Sequence, residues 1–354
     1  MWTMNHSTLA PTIMTRINQP IRISPFNLVT MSLLVAIMII GCFGNSVIIY
    51  VFAYKRREQI KRFERFLLLL AVVDLTASLV IPSSFFYLTA TDFRRWDFGE
   101  TGCRIIPSLL QMSITISHGV LILISYERYH TLVKPFNPRI GRPIILVWLL
   151  FFVFLSIGLM FPYMKTLTII VNEHYQIKTC MPDAQRISLL MLSSSLQVLR
   201  DIFAIGIMAI LNQRMNHALT KQQRDLTWKR EKMSRKGRAL LRRVIVIFSG
   251  LTLPVDIFQA VFYSLVFAGV PLSKTSFKVL SHINTLLNIL QMGNSMVNIF
   301  IYSRMHDMFQ LQWCRATTRS NAHRRRITQS EYLPNDTEAL TKSYGSSREG
   351  SYDF

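Results

Sequence analysis

The chain is short of acid. Its 354 residues carry 19 Asp and Glu against 40 Lys and Arg, a net charge of +21. Charged residues of both signs make up only 17% of it, while 50% are hydrophobic. A soluble basic protein would spread its Lys and Arg among apolar positions. Here they sit in short blocks between long apolar runs, which is the pattern of a membrane protein. Nucleic-acid binding is disfavoured despite the basic charge, because the spans leave no soluble domain to do it. Catalytic signatures are also missing. There is no His-Glu-x-x-His, no Gly-x-Ser-x-Gly and no cysteine–histidine cluster with metal-ligand spacing. No internal repeat of the kind found in secondary transporters is visible. Residues 1–28 lack a basic start followed by a short apolar core, so the first span is expected to serve as its own insertion signal.

The apolar runs fall near 29–53, 66–89, 103–126, 144–164, 186–211, 244–268 and 276–302. Each is long enough to cross about 30 Å of hydrocarbon as a helix. The fold class expected is all-α, a seven-transmembrane helix bundle over 29–303. It is flanked by an N-terminal segment 1–28, a short amphipathic interfacial helix 304–314 and a polar, disordered tail 315–354. Basic blocks follow the first span (Lys55, Arg56, Arg57, Lys61, Arg62, Arg65) and the third (Lys134, Arg139, Arg142). They also fill 214–243 and the tail (Arg315, Arg319, Arg324, Arg325, Arg326). The positive-inside rule then puts the N-terminus outside and the tail in the cytoplasm. Contact with anionic membrane lipid and coupling to a cytosolic partner both remain open as the further role of these blocks. Asn5-His6-Ser7 is a glycosylation acceptor, consistent with an outside N-terminus.

The third run is the axis of the chain. Cys103 stands at one end and Glu127-Arg128-Tyr129 at the other, a helix length apart that matches a bilayer. An acid and an arginine at a membrane boundary are costly unless they have work to do. Cys103 and Cys180 both fall on the outer, oxidising side, and a disulfide between them is expected. Cys42 lies within the first span and reads as a packing residue. Cys314 closes the stretch Arg304 to Trp313 and is either a palmitoylation site or a plain interfacial cysteine.

With further motifs in the same order, these residues resemble the rhodopsin-like (class A) G-protein-coupled receptors. The resemblance covers roughly 29–314. It rests on Gly44-Asn45, Leu70-Ala71-Val72-Val73-Asp74, Trp96-Asp97-Phe98-Gly99, Cys103, Glu127-Arg128-Tyr129, Trp148, Cys180, Phe248 with Pro254, and Asn298-Ile299-Phe300-Ile301-Tyr302. It implies a plasma-membrane, multi-pass receptor for an extracellular ligand that activates a heterotrimeric G protein, not an enzyme. Arrestin and kinase would be partners at the tail, and membrane lipid surrounds the bundle. Glu127, Arg128, Tyr129 and Tyr302 would form the G-protein switch. Asp74, Ser117, Asn294, Ser295 and Asn298 match the positions that hold an allosteric Na+ in that family, with Asn45 alongside; a hydrogen-bonded polar core with protonated Asp74 is the alternative. No other cofactor is implied. Two positions depart from the family. Thr252 replaces a tryptophan and Ile299 replaces a proline, so a less kinked seventh span is expected there. Ser234 stands where some relatives place an acid that locks the arginine, which predicts basal signalling.

The resemblance also bears on the ligand. Amine receptors carry an aspartate where this chain has Leu110, and visual pigments a lysine where it has Met292. The expected ligand pocket is Gln111, Gln197, Arg200, Asp256 and Gln259, with His282 nearby. Adjacent residues do not share a helix face. Arg200 is therefore expected to look past Asp201 and pair with Asp256, unless it pairs elsewhere in the bundle. His118 is either a hydrogen-bonded core histidine or a proton sensor. The lining suits a neuropeptide-type ligand. A receptor for a non-peptide small molecule or lipid and, from another class, a membrane transporter are the alternatives.

Overall fold

The first long apolar run becomes a helix because its start is well prepared. The Ser24 hydroxyl accepts a hydrogen bond from the Asn27 amide at 3.1 Å, and Pro25 supplies the first helical residue of α1 (Pro25–Ile49). A single π-helical turn, Tyr50–Tyr54, closes it. The computed structural model describes residues 24–54, 62–133, 141–172, 177–221, 228–271 and 273–297. They belong to one unit, Met1–Met305; the second, His306–Phe354, lies outside the described residues.

Helix α2 is Arg62–Ala90 with Pro82 inside it. Helix α3 spans Gly99–Val133, with one 3-10 turn at Ile106–Ser108 where Pro107 cannot donate. Helix α4 is Arg142–Thr166. An antiparallel hairpin follows, β1 (Leu167–Asn172) and β2 (Ile177–Pro182), with Ile169 opposite Cys180. Helix α5 is Ile187–Lys221, α6 is Trp228–Phe267 with Pro254 inside it, and α7 is Lys274–Met292, capped by Ser273. A turn at Gly293 precedes helical residues 294–297.

Six of the described helices are long and apolar enough to cross a membrane. The seventh, α7, is not among them, because it carries Lys274, Lys278, His282, Asn284 and Asn288 over its described length. The expected spans lie where their apolar runs lie, with one large difference. Helix α6 begins at Trp228 rather than near 244, since Lys and Arg are good helix formers and extend it into the basic segment. The expected proline-free stretch around Ile299, the interfacial helix, Tyr302, Asn298, Cys314 and Asn5 all lie outside the described residues, as do the side chains near Ser234.

The bundle is apolar on its surface and, beside an apolar core, buries a set of polar side chains. Phe43, Phe154 and Phe203 are each at least 66% exposed, whereas Asn45, Asp74, Ser117, Gln291 and Asp256 are buried. A water-soluble domain does not expose such a band; a lipid-embedded one requires it. Helix α3 packs against α2, α4 and α5, α5 lies along α6, and α6 touches α7. Gly119 sets the α3–α4 approach: a Cβ there would fall 2.3 Å from the Phe152 ring.

Cys103 and Cys180 are disulfide-bonded, joining the start of α3 to β2. Trp96 is fully buried beneath this join, packed with Cys103 and Leu167, and its Nε1 donates to the Gly99 carbonyl at 2.8 Å. Gly99 has φ +67°, which a side chain would strain. Trp96 therefore plugs the space beneath the disulfide, while Asp97 and Phe98 stay exposed. In the loop after α2, Asp97 accepts a hydrogen bond from the Tyr87 hydroxyl at 2.6 Å, which with Arg95 holds that carboxyl below the usual range.

Candidate functional site

At the disulfide end the helices enclose a cavity of about 150 Å³. Its lining joins apolar and aromatic side chains, among them Tyr163 and Tyr263, to polar ones: Gln111 from α3, Gln197 with Ser193 and Ser194 from α5, Gln259 from α6, and Asn284 and Asn288 from α7. Gln259 Nε2 donates to Asn284 Oδ1 at 3.2 Å and to Asn288 Oδ1 at 3.4 Å, tying α6 to α7 across the mouth. Three of the five expected pocket residues, Gln111, Gln197 and Gln259, thus share one lining. His282 faces elsewhere, stacked on Phe26 at 4.0 Å.

Arg200 and Asp256 are not in that lining. They lie buried beneath it, in an ion cluster. Arg200 Nη2 donates to Asp256 Oδ2 at 2.6 Å, so the expected pair forms. The expectation that Arg200 would bypass Asp201 is wrong. Its Nε and Nη2 also donate to Asp201 Oδ1, at 2.9 and 2.8 Å. The face rule describes where Cβ atoms point; the arginine stem is long enough to fold back on its neighbour. Arg200 Nη1 donates to Gln111 Oε1 at 3.0 Å and Thr115 Oγ1 at 3.1 Å. Gln111 Nε2 and Gln291 Nε2 each donate to Asp256 Oδ1 at 3.0 Å. Four helices, α3, α5, α6 and α7, meet in this one network.

Asn284 and Asn288 in the cavity lining and Gln291 in the cluster are positions that the sequence reading missed. Their spacing of four and three residues along α7 puts them on one helix face, and that polar stripe was the available signal. His118 is buried with Nε2 3.6 Å from Asp201 Oδ1, beyond hydrogen-bond reach, and its ring meets Phe248 edge-on at 4.5 Å. It is a core histidine with Asp201 as its polar neighbour.

Below the cluster, Asp74 (α2), Ser117 (α3) and Asn294 are buried, with Ser295 beside Asn294 in the last described turn. The Asn45 side chain donates to the Ser295 carbonyl at 3.0 Å and to the Gly41 carbonyl at 2.9 Å, and its own buried Oδ1 has no hydrogen-bond partner among the described residues. Each of these side chains carries an oxygen, the donor type a hard cation takes. At the opposite end of α3 from the disulfide, Glu127 is buried beside Arg128, and Tyr129 packs on Met215 of α5.

The profile of the 7 transmembrane receptor (rhodopsin family) matches residues 44–302. The neuropeptide Y receptor type 6 of Mus musculus is 29% identical over 249 residues, covering 64% of this chain and 65% of that receptor. The same receptor of Oryctolagus cuniculus is 28% identical over 247 residues, again covering 64% and 65%. The chain thus spans about two thirds of the length of these two relatives. The C5a anaphylatoxin chemotactic receptor 1 of Canis lupus familiaris is 24% identical over 346 residues, covering 95% of this chain and 92% of that one. Spans, disulfide, polar interior and profile agree: the chain is a multi-pass membrane protein that belongs to the rhodopsin family of seven-transmembrane receptors.

Proposed function

We propose that this chain is a plasma-membrane receptor that seats one side chain or end of an extracellular peptide in the polar-lined cavity and activates a heterotrimeric G protein through the Arg128 end of α3. The lining carries the reading. Side-chain amides and hydroxyls from four helices converge there, and such groups pair with peptide donors and acceptors better than with a lipid chain. The relatives named for neuropeptide Y and for the C5a anaphylatoxin favour the same class of ligand. In this reading the disulfide end is extracellular, Asn5 is glycosylated and Cys314 is palmitoylated. Arrestin and a kinase act on the tail. Glu127 holds Arg128 at rest; Tyr129 and Tyr302 complete the switch.

The same reading assigns an allosteric Na+ to Asp74, Ser117, Asn294, Ser295 and Asn298. A bound cation would stabilise the folded receptor by mass action. Replacing sodium chloride by choline chloride is therefore expected to lower the melting temperature of the purified receptor, and Asp74→Ala to abolish the difference. Equal melting temperatures in both salts would remove the site.

The test of the function is a peptide library applied to cells expressing the full chain. The expected result is a peptide response that is lost in Arg128→Ala and right-shifted about tenfold or more in Gln111→Leu, the loss of one or two hydrogen bonds. A response confined to lipids or small amines would contradict the ligand class.

A further inference from the structure

The cavity and the ion cluster beneath it share a single residue. Among the described residues, Gln111 is the one member of the network that also lines the cavity. Its Oε1 accepts from Arg200 at 3.0 Å while its Nε2 donates to Asp256 at 3.0 Å and to Gln291 Oε1 at 3.1 Å. A ligand group that bonds to this amide competes with those partners.

Asp256 is the second point. It lies two residues beyond Pro254, inside α6. Proline lacks the N–H that would bond to the carbonyl four residues earlier, so the helix is weakest there. On the α6 side of this weak point, Asp256 is held by three donors, Arg200 Nη2, Gln111 Nε2 and Gln291 Nε2, from three other helices. Thr252, just before the weak point, spends its hydroxyl on the Phe248 carbonyl at 3.1 Å within α6. It makes no side-chain bond to another helix among the described residues.

We propose that the Gln111–Arg200–Asp256–Gln291 network is the restraint on α6, and that Gln111 is the residue through which occupancy of the cavity loosens it. Gln111 is the input, Arg200 and Gln291 are positioning residues, and Asp256 is the clamped group at the hinge. A charge-assisted network of this kind holds two-state elements in one arrangement. A ligand that binds the amide shifts the balance only by its preference for the loosened state. The inference rests on the cavity being the ligand site; it does not require that the partner be a G protein.

The experiment is a distance measurement on the full chain in lipid nanodiscs, without ligand or G protein. Spin labels are placed at Ile144 of α4 and Arg242 of α6, both exposed, with Cys42 and Cys314 replaced. The unsubstituted network is expected to give one dominant distance. Asp256→Asn and Gln111→Leu are each expected to raise the share of a second, longer distance about tenfold. Leu199→Ala, a lipid-facing neighbour of Arg200, is expected to leave the distribution alone. Gln111→Leu alters no charge and keeps the test valid should Asp256→Asn fail to fold. Distributions that overlay the unsubstituted one in folded Gln111→Leu overturn the proposal, as does an equal shift in Leu199→Ala. Nucleotide exchange on purified heterotrimers is read in parallel. A loosened α6 with no exchange counts against G-protein coupling while leaving the restraint in place.

Discussion

Arg200 is where residue-scale energetics are concentrated. A guanidinium and two carboxylates removed from water are tolerable because each charge meets a partner at hydrogen-bond distance. Removing one partner leaves the others uncompensated, at about 3–5 kcal/mol. Arg200→Met and Asp256→Leu are each expected to lower the melting temperature sharply, and the double variant to lose much less than their sum. Additive losses in a thermal-shift series would mean the pair is not coupled. Gly119 makes a packing prediction of the same scale. Gly119→Ala forces a methyl into the Phe152 ring and is expected to cost about 1–3 kcal/mol, recovered in part by Phe152→Leu. Asp97 makes an electrostatic one. Its carboxyl is held low mainly by the Tyr87 hydroxyl, so its contribution is present above the ordinary carboxylate range and lost as pH falls through the folded-state value. Tyr87→Phe is expected to raise that pKa in a carboxyl-resolved titration.

At this scale the sequence was legible where chemistry forces a choice. A charge within a span must pair, which pointed from Arg200 to Asp256 across 56 positions. It was opaque where side-chain reach decides. Helix-face counting forbade Arg200–Asp201, and the arginine made that contact by folding back. The depth of Arg200 and Asp256 below the cavity was also invisible, because a linear chain gives the turn a residue occupies but not which neighbours roof it over.

Elements were read well from apolar length and poorly at their ends. The spans of α1 to α5 lie on their apolar runs, whereas the start of α6 was placed 16 residues late, since a basic segment carries no apolar signal yet favours helix. Helix α7 shows the converse. Its polar stripe of Asn284 and Asn288, which line the cavity, and Gln291, which joins the ion cluster, dilutes the apolarity by which a span is recognised. The hairpin between α4 and α5 depends on its sulfur link to α3. That bond closes a separation of 77 residues, worth about 4 kcal/mol in chain entropy. Cys103→Ala is expected to lower stability on that order, and to speed hydrogen exchange in β1 and β2 ahead of the helices. Uniform loss across the bundle would mean the link supports more than the hairpin.

For the whole molecule, the decisive contrast is between the lipid-facing band and the polar interior. Buried carboxylates, amides and hydroxyls occur at the cavity, in the ion cluster and at Asp74, and α3 runs on to Arg128. Ser234 stands at the position where an acid would supply the cytoplasmic lock, so in the proposed reading resting control falls more heavily on Glu127 and on the cluster. The direct measurement is nucleotide exchange by purified heterotrimeric G proteins of several classes, with the full chain in nanodiscs and no ligand added. Exchange above that of empty nanodiscs in at least one class, abolished by Arg128→Ala, is the expected result. Exchange equal to empty nanodiscs in every class, from protein whose melting curve shows it folded, would contradict the reading of this chain as a signalling receptor with a loose resting state.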